Sequence, residues 1–116
     1  MNRMYIQRFM EEIMDAKLIE LTICAQKGDM EAFSNLIISF EQDLYRIASI
    51  RLKNADDIDD VIQMTIEQTL KNIKKLKNPQ YIKTWIIKIL INNCNAIYKR
   101  KRYKMEYNEN IELNVK

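Results

Sequence analysis

Apolar residues recur every three or four positions along most of the chain, a spacing that places them on one face of an α-helix. The most regular example lies in residues 57–74, where the steps between apolar or threonine positions alternate between three and one. Its members are Ile58, Val61, Ile62, Thr65, Ile66, Thr69, Leu70 and Ile73. No stretch alternates between apolar and polar residues as a half-buried strand does, so the pattern predicts an all-α fold.

Residues that start and stop helices divide this pattern into four segments. The only glycine, Gly28, suits the left-handed position that ends a helix, and Asp29 suits the N-cap of the next one. The only proline, Pro79, suits the first turn of a helix, where no amide hydrogen is needed, and Asn78 before it is a candidate cap. Four helices with short connections are therefore predicted, at residues 15–27, 30–53, 57–74 and 79–102.

The apolar faces of these helices are expected to form a single core, because 116 residues make one domain rather than two. Its predicted members are Phe33, Leu36, Phe40, Leu44, Val61, Ile62, Ile66, Leu70, Trp85, Ile86 and Ile89. Residues 1–14 have weak periodicity and no clear cap. They are interpreted as an N-terminal extension, either an ordered extra turn or a frayed end.

Two residues on the apolar side of the fourth helix have more than one interpretation. Trp85 could stack on unpaired bases, but its position beside Ile82 and Ile86 favours burial. Asn93 also falls within the apolar seam, and a buried amide without a partner costs about 1–3 kcal/mol. We therefore expect Asn93 to form a hydrogen bond with another helix.

Charge is distributed very unevenly. Residues 68–105 hold eleven Lys or Arg and no Asp or Glu. Residues 1–67 hold seven basic and thirteen acidic residues, and residues 106–116 hold one basic and three acidic residues. The net charge of +3 therefore conceals a strongly basic block, which is typical of a surface that meets the phosphates of a nucleic acid.

Each residue of an α-helix advances by about 100° around the helix axis. With this spacing, several polar side chains of the basic block fall on the side opposite the apolar seam. This polar stripe consists of Tyr81, Thr84, Lys88, Asn92, Asn95 and Lys99. Ammonium groups suit phosphates, and amides suit base edges, so the stripe is a candidate nucleic-acid contact.

The composition argues against several other classes of protein. Histidine is absent, and Cys24 and Cys94 match no paired-cysteine motif, so a metal site, a cofactor and a catalytic centre are not expected. Both cysteines are expected to be free and partly buried. The chain has neither an apolar run of about 18–20 residues nor a signal-peptide pattern, which favours the cytoplasm.

Several short blocks resemble a known family. Ala25–Phe33 (AQKGDMEAF) is similar to an A-x-x-G-D-x-x-A-F motif, and Leu44–Ala48 (LYRIA) to L-Y-x-x-A. Ile58–Ile66 (IDDVIQMTI) resembles A-E-D-L-V-Q-E-T-F, and Trp85–Asn92 (WIIKILIN) resembles W-L-x-R-I-A-x-N, followed by the basic residues 99–102. In this order, over residues 18–104, the blocks resemble region 2 of bacterial sigma-70 factors of the extracytoplasmic-function group, a compact four-helix domain.

The resemblance implies that one face of the third helix docks on the coiled coil of the largest subunit of core RNA polymerase. The residues implied are Asp59, Asp60, Gln63, Met64 and Glu67. Met64 departs from the glutamate of the family motif, which removes one charge from this face. From the helical pattern alone, Asp56, Asp57, Asp59 and Asp60 are explained by helix capping together with solubility, and a docking surface for a basic helix is the alternative.

The resemblance also implies that Lys88 and Asn92 face the promoter −10 element, and that the loop at residues 76–80 holds a base flipped from the non-template strand. An aromatic residue often stands where this chain has Leu76. The candidate DNA contacts are Leu76, Lys77, Asn78, Gln80, Tyr81, Thr84, Lys88, Asn92, Asn95, Lys99, Arg100, Lys101 and Arg102.

The resulting hypothesis is a non-enzymatic transcription-initiation module that binds core polymerase and recognises and melts the −10 element. Residues 15–104 would form the domain, and residues 105–116 would begin a linker. The −35-binding domain of such factors is absent from this chain, which is either one domain of a longer protein or a short relative. An anti-sigma factor is a further partner that the resemblance allows. The alternative is a protein–protein regulator with a sigma-like fold, a polymerase-binding or mobile-element accessory protein without promoter selectivity.

Overall fold

The computed structural model describes the backbone of residues 2–114 and the side chains of residues 2–108. It contains four α-helices, α1 (Arg3–Gln26), α2 (Met30–Arg51), α3 (Ala55–Asn72) and α4 (Ile82–Asn114). Two short 3-10 turns, Ile73–Lys75 and Pro79–Tyr81, lie between α3 and α4. Residues 2–114 contain no strand, so the predicted all-α fold with short connections is confirmed.

The capping residues act as the sequence predicts at the first connection. Gly28 has a φ of 99°, the left-handed conformation that ends α1. The Asp29 carboxylate accepts a hydrogen bond from the backbone N–H of Ala32 at 3.0 Å, which caps α2. Before α3, the side-chain oxygen of Asn54 accepts one from the backbone N–H of Asp56 at 2.8 Å.

The bounds of the first and last helices differ from the prediction. α1 begins at Arg3 rather than near residue 15, so the N-terminal extension continues the helix. α4 begins only at Ile82, because Pro79–Tyr81 forms a 3-10 turn, and the Asn78 side chain makes no capping hydrogen bond. α4 also continues past Arg102 to residue 114, since the sequence there contains neither glycine nor proline to end it.

The core lies where α2 meets the other three helices. α1 packs on α2, and α3 packs on both α2 and α4. The side chains with almost no exposed surface include Leu36, Phe40, Leu44, Val61, Ile86 and Leu90. Burial of such side chains is the main favourable term in the stability of a domain of this size.

Part of the predicted core was wrong. Leu70 is 44% exposed and Ile89 is half-buried outside the core cluster, whereas Ile62, Ile66 and Trp85 are half-buried and do pack against the core. The inner line of α3 runs instead through Ile58, Val61, Thr65 and Thr69. The two threonines tolerate burial because their hydroxyls donate to the carbonyls of Val61 and Thr65, each at 2.7 Å.

Candidate nucleic-acid and protein interfaces

The polar stripe lies on the outer face of α4 and its preceding turn. All six members, Tyr81, Thr84, Lys88, Asn92, Asn95 and Lys99, are exposed. The opposite side of α4 is buried through Ile86, Leu90 and Cys94. The helical spacing therefore predicted the exposure of all six stripe members correctly.

The charged groups of the stripe are not paired with carboxylates within residues 2–108. Among the side chains of residues 2–108, neither Lys88 nor Lys99 takes part in an ion pair. The nearby Lys83, which lies off the stripe, is 3.8 Å from the Asp43 carboxylate of α2. The ammonium groups of the stripe are thus available to phosphates.

The loop at residues 76–80 is held by a residue that sequence reasoning missed. The side-chain amide of Gln26, at the end of α1, donates hydrogen bonds to the carbonyls of Ile73 at 2.9 Å and Leu76 at 2.8 Å. The acceptors are 47 and 50 residues away in sequence, so no local pattern could have revealed the contact.

The same loop presents its side chains in two directions. Leu76 is half-buried and packs against the core, whereas Lys77, Asn78 and Gln80 are exposed. Leu76 therefore anchors the loop by packing. The exposed ammonium and amide groups are the parts of the loop that an incoming ligand meets first.

The basic residues at 99–104 do not form one surface. Lys99 and Arg102 continue the polar stripe, and Arg102 lies 3.5 Å from Glu106. Arg100, Lys101 and Lys104 instead line a groove between α4 and α3. Lys101 forms an ion pair with Asp57, whose side chain is only 19% exposed.

The carboxylates of α3 form a ridge between two grooves. This acidic ridge consists of Asp59, Asp60, Gln63 and Glu67, all exposed. The Gln63 amide donates to the Glu67 carboxylate at 3.3 Å. Met64 is half-buried and packs against the core. It therefore lies at the base of the ridge, with only part of its side chain exposed.

One groove beside the ridge extends the surface onto α2. It is lined by Asp59, Gln63 and Glu67 on one side and by Glu41 and Tyr45 on the other. Sequence reasoning did not assign Glu41 and Tyr45 to this surface. Their spacing of four residues, which places both on one helix face, was the available signal.

The two cysteines are free, as predicted, and Cys94 is buried while Cys24 is half-buried. Burial raises the pKa of the Cys94 thiol, an effect that the charge of Arg51 partly opposes.

In the part of the chain that the structure describes, no cluster of His, Cys, Asp or Glu could hold a metal ion. Nor does any described helix have an apolar stretch of the length needed to cross a membrane.

Comparison with known families agrees with this architecture. Residues 36–103 match the family model described as Sigma-70 region 2. The chain is 35% identical over 78 residues to the RNA polymerase sigma factor SigV of Bacillus subtilis, a match that covers 66% of this chain and 47% of SigV. It is also 35% identical over 65 residues to the sigma factor HrpL of Pseudomonas syringae pv. syringae, covering 56% of this chain and 35% of HrpL. The chain thus spans about half or less of the length of these relatives.

Among solved structures, the chain resembles an engineered region 2 of sigmaE in complex with GTAAAA. The TM-score is 0.69 at 20% sequence identity, and the superposition covers 76% of this chain and 92% of the other. At this level of identity, the comparison establishes a shared fold.

Proposed function

Because the chain belongs to the Sigma-70 region 2 family, we propose that it is a transcription-initiation module that binds core RNA polymerase and the promoter −10 element. The observation that carries the proposal is the polar stripe of α4. It combines cations that form no ion pair within residues 2–108 with the exposed amides of Asn92 and Asn95 on one continuous helix face. Cations position a nucleic-acid backbone, and amides discriminate bases.

Polymerase binding is assigned to the acidic ridge. Its exposed carboxylates suit a basic partner helix, and the groove between α3 and α2, whose lining contains no basic residue, gives such a helix a shaped surface to enter. Glu41 and Tyr45 of α2 would widen this surface. The proposed partner is the coiled coil of the largest polymerase subunit, and the bacterial cytoplasm is the compartment in which both partners would be found.

DNA binding is assigned to the stripe together with the loop at residues 76–80. The engineered sigmaE region 2 was solved in complex with GTAAAA, which makes that sequence a suitable first probe for this chain. Lys77, Asn78 and Gln80 are exposed, so the loop would hold a flipped base mainly through polar contacts. Leu76 would support this pocket from below through its packing on the core.

The assignment leaves the chemistry of RNA synthesis to the polymerase. We also propose regulation by an anti-sigma factor. The rival function is a polymerase-binding regulator without promoter selectivity. The rival predicts the same acidic ridge but no preference for any DNA sequence.

One experiment separates the two functions. Core RNA polymerase is mixed with the chain and with a fluorescent promoter fragment whose −10 element is pre-melted and contains GTAAAA in one strand. The proposal predicts that the chain raises polymerase affinity for this fragment above that for a scrambled bubble. Binding to the core with equal affinity for both fragments would support the rival.

A further inference from the structure

The turn between α2 and α3 faces the second half of α4 across a pocket, here called the basic pocket. Its cationic, amide and phenol groups come from Arg51, Lys53, Asn54, Tyr98, Lys101 and Arg102. Leu52 and Met105 add apolar surface to the lining. Arg51 and Lys53 belong neither to the polar stripe nor to the loop at residues 76–80, so the DNA contacts proposed above do not include them.

The charge of the basic pocket is strongly one-sided. Among the described residues, four cations line it together with one carboxylate, that of Asp57, which is already paired with Lys101. The groove on the other side of Lys101 is balanced, because three cations there face three carboxylates. They are Arg100, Lys101 and Lys104 against Asp57, Asp60 and Glu67. Of these two neighbouring depressions, the basic pocket is therefore the one that attracts an anion.

Two cations of the pocket are available to such an anion. Arg51 and Lys53 are exposed, and neither takes part in an ion pair among the side chains of residues 2–108. Arg51 is the last residue of α2, and its charge acts on the Cys94 thiol, which places the guanidinium close to α4. An anion that enters the pocket can therefore bind both cations without displacing a carboxylate from either.

The turn that carries these cations is fixed at both ends. The backbone N–H of Leu52 donates to the carbonyl of Ala48 at 2.8 Å, and the Leu52 side chain is buried. The side-chain oxygen of Asn54 accepts a hydrogen bond from the backbone N–H of Asp56, also at 2.8 Å. Because the backbone around Lys53 is held in place, a bound anion has to order only side chains.

The position of the pocket indicates which anion it meets. Arg102 continues the polar stripe and also lines the pocket, so a DNA backbone that follows the stripe reaches the pocket next. At about 1.5 Å per residue, Arg102 lies about 30 Å along α4 from Ile82, which is beside the loop. Six nucleotides, the length of GTAAAA, cover about 20 Å at about 3.4 Å per nucleotide. The pocket thus lies about 10 Å beyond a strand of that length that starts at the loop.

We propose that the basic pocket binds backbone phosphates of the duplex DNA that flanks the −10 element, with Arg51 and Lys53 as its main contacts. Tyr98, which is 58% exposed, and Arg102 complete the site. Guanidinium, ammonium and phenol groups all donate hydrogen bonds to phosphate oxygens. Such contacts carry no sequence information, so the pocket fixes the position of the promoter while the stripe reads bases. The inference rests on the proposed function, because it takes the stripe and the loop as the −10 site.

The double variant Arg51→Ala, Lys53→Ala tests the proposal in complexes of the full chain with core polymerase. One fluorescent promoter fragment has a pre-melted −10 element with duplex on both sides, and the other is the −10 single strand alone. The double variant should bind the flanked fragment about tenfold more weakly, with a slope of log affinity against log salt reduced by about two units. Its affinity for the single strand should not change.

Arg3→Ala, Lys17→Ala is the matched control. It removes two exposed cations from α1, so the net charge changes equally, and binding to both fragments should stay the same. Circular dichroism during thermal unfolding checks that both double variants are folded.

Tethered cleavage locates the contact without removing Arg51. Iron–EDTA attached to Lys53→Cys, in a Cys24→Ser background, should cut the flanking duplex and leave the melted strand intact, since the remaining Cys94 is buried. The same reagent on Glu20→Cys of α1 should produce no cuts.

Three results would overturn the inference: unchanged affinity and salt slope in Arg51→Ala, Lys53→Ala, equal losses on the two fragments, or cleavage confined to the melted strand. The proposed function is judged separately, by whether the wild type prefers the −10 bubble to a scrambled one. Phosphate contacts are independent of sequence, so the double variant should lose the same factor on flanked −10 and flanked scrambled fragments. A wild type without sequence preference would therefore contradict the proposed function, while salt slope and cleavage still decide the role of the pocket.

Discussion

Asn93 of α4 donates its side-chain amide to the hydroxyl of Thr65 on α3 at 3.1 Å, inside the bundle. The same amide group donates to the side-chain oxygen of Gln68, also at 3.1 Å. Thr65 in turn donates to the carbonyl of Val61 at 2.7 Å. This network joins the helix of the polar stripe to the helix of the acidic ridge, and it sets the register between the two proposed interfaces.

Replacing Asn93 by alanine should destabilise the domain by about 1–3 kcal/mol, because Thr65 and Gln68 each lose a buried partner. Urea unfolding followed by circular dichroism measures the loss. Asn95→Ala is the matched control, since its side chain is exposed on the same helix and its removal should cost less than about 0.5 kcal/mol. Equal midpoints for the two variants would show that the network contributes little to stability.

Trp85 and Ile86 are neighbours that should respond differently to truncation. Ile86 has no exposed surface, so Ile86→Ala should cost about 2–5 kcal/mol. Trp85 is half-buried against the edge of the core, so Trp85→Ala should cost less than the roughly 3–5 kcal/mol of a fully buried tryptophan. Thermal unfolding compares them. If Trp85→Ala unfolds like the wild type but loses DNA binding, the ring has a direct role in DNA contact.

The acidic ridge should matter for polymerase and not for folding. Asp60→Lys combined with Glu67→Lys should weaken capture of core polymerase about tenfold or more, since the new charges oppose a basic partner. The melting temperature should change little because both side chains are exposed. Glu20→Lys on α1 is the control for charge alone. Capture that is unchanged by the double reversal would mean that the ridge is merely a solvated surface.

Lys101 should contribute less to DNA binding than Lys88, because its ammonium group already pairs with Asp57. Lys88→Ala should reduce the slope of log affinity against log salt by about one unit, and Lys101→Ala by clearly less. The ion pair itself is partly solvated, so its loss should cost less than about 1 kcal/mol of stability. Asp57→Asn provides the complement: it frees Lys101 and should raise DNA affinity. Equal slopes for Lys88→Ala and Lys101→Ala would show that the pair does not restrain Lys101.

Periodicity predicted the helices and the polar stripe because both depend on contacts within about four residues. Periodicity predicted burial less well in α3, because its apolar face is wide. Residues along the centre of that face are buried, and residues along its edge are partly exposed. Leu70 falls on the edge because Thr65 and Thr69 occupy the centre. Both threonines belonged to the predicted seam but not to the predicted core, although a threonine whose hydroxyl bonds to its own helix packs as an apolar residue.

Contacts between residues far apart in the chain could not be predicted from a single sequence. A buried partner for Asn93 could be anticipated, but its identity depends on how α3 and α4 pack. The same holds for Gln26, which holds the loop after α3, and for the pairing of Lys101 with Asp57. Helical spacing within the predicted helix already divides Lys99 and Arg102 from Arg100 and Lys101, and only the position of Lys104 depends on the continuation of α4 past Arg102.

The central claim is that the polar stripe reads a −10 sequence in addition to holding phosphates, and a comparison of Asn92→Ala with Lys88→Ala tests it most directly. Binding of each variant, in polymerase holoenzyme, to pre-melted −10 and scrambled promoter fragments is measured at several salt concentrations. An ammonium mainly contacts phosphate, so Lys88→Ala should weaken binding to both fragments by a similar factor. An amide can pair with a base edge, so Asn92→Ala should reduce the free energy of binding to the −10 fragment by about 1–3 kcal/mol. Binding to the scrambled fragment should change very little. Equal losses on the two fragments for Asn92→Ala would contradict the account and move base recognition to the loop at residues 76–80.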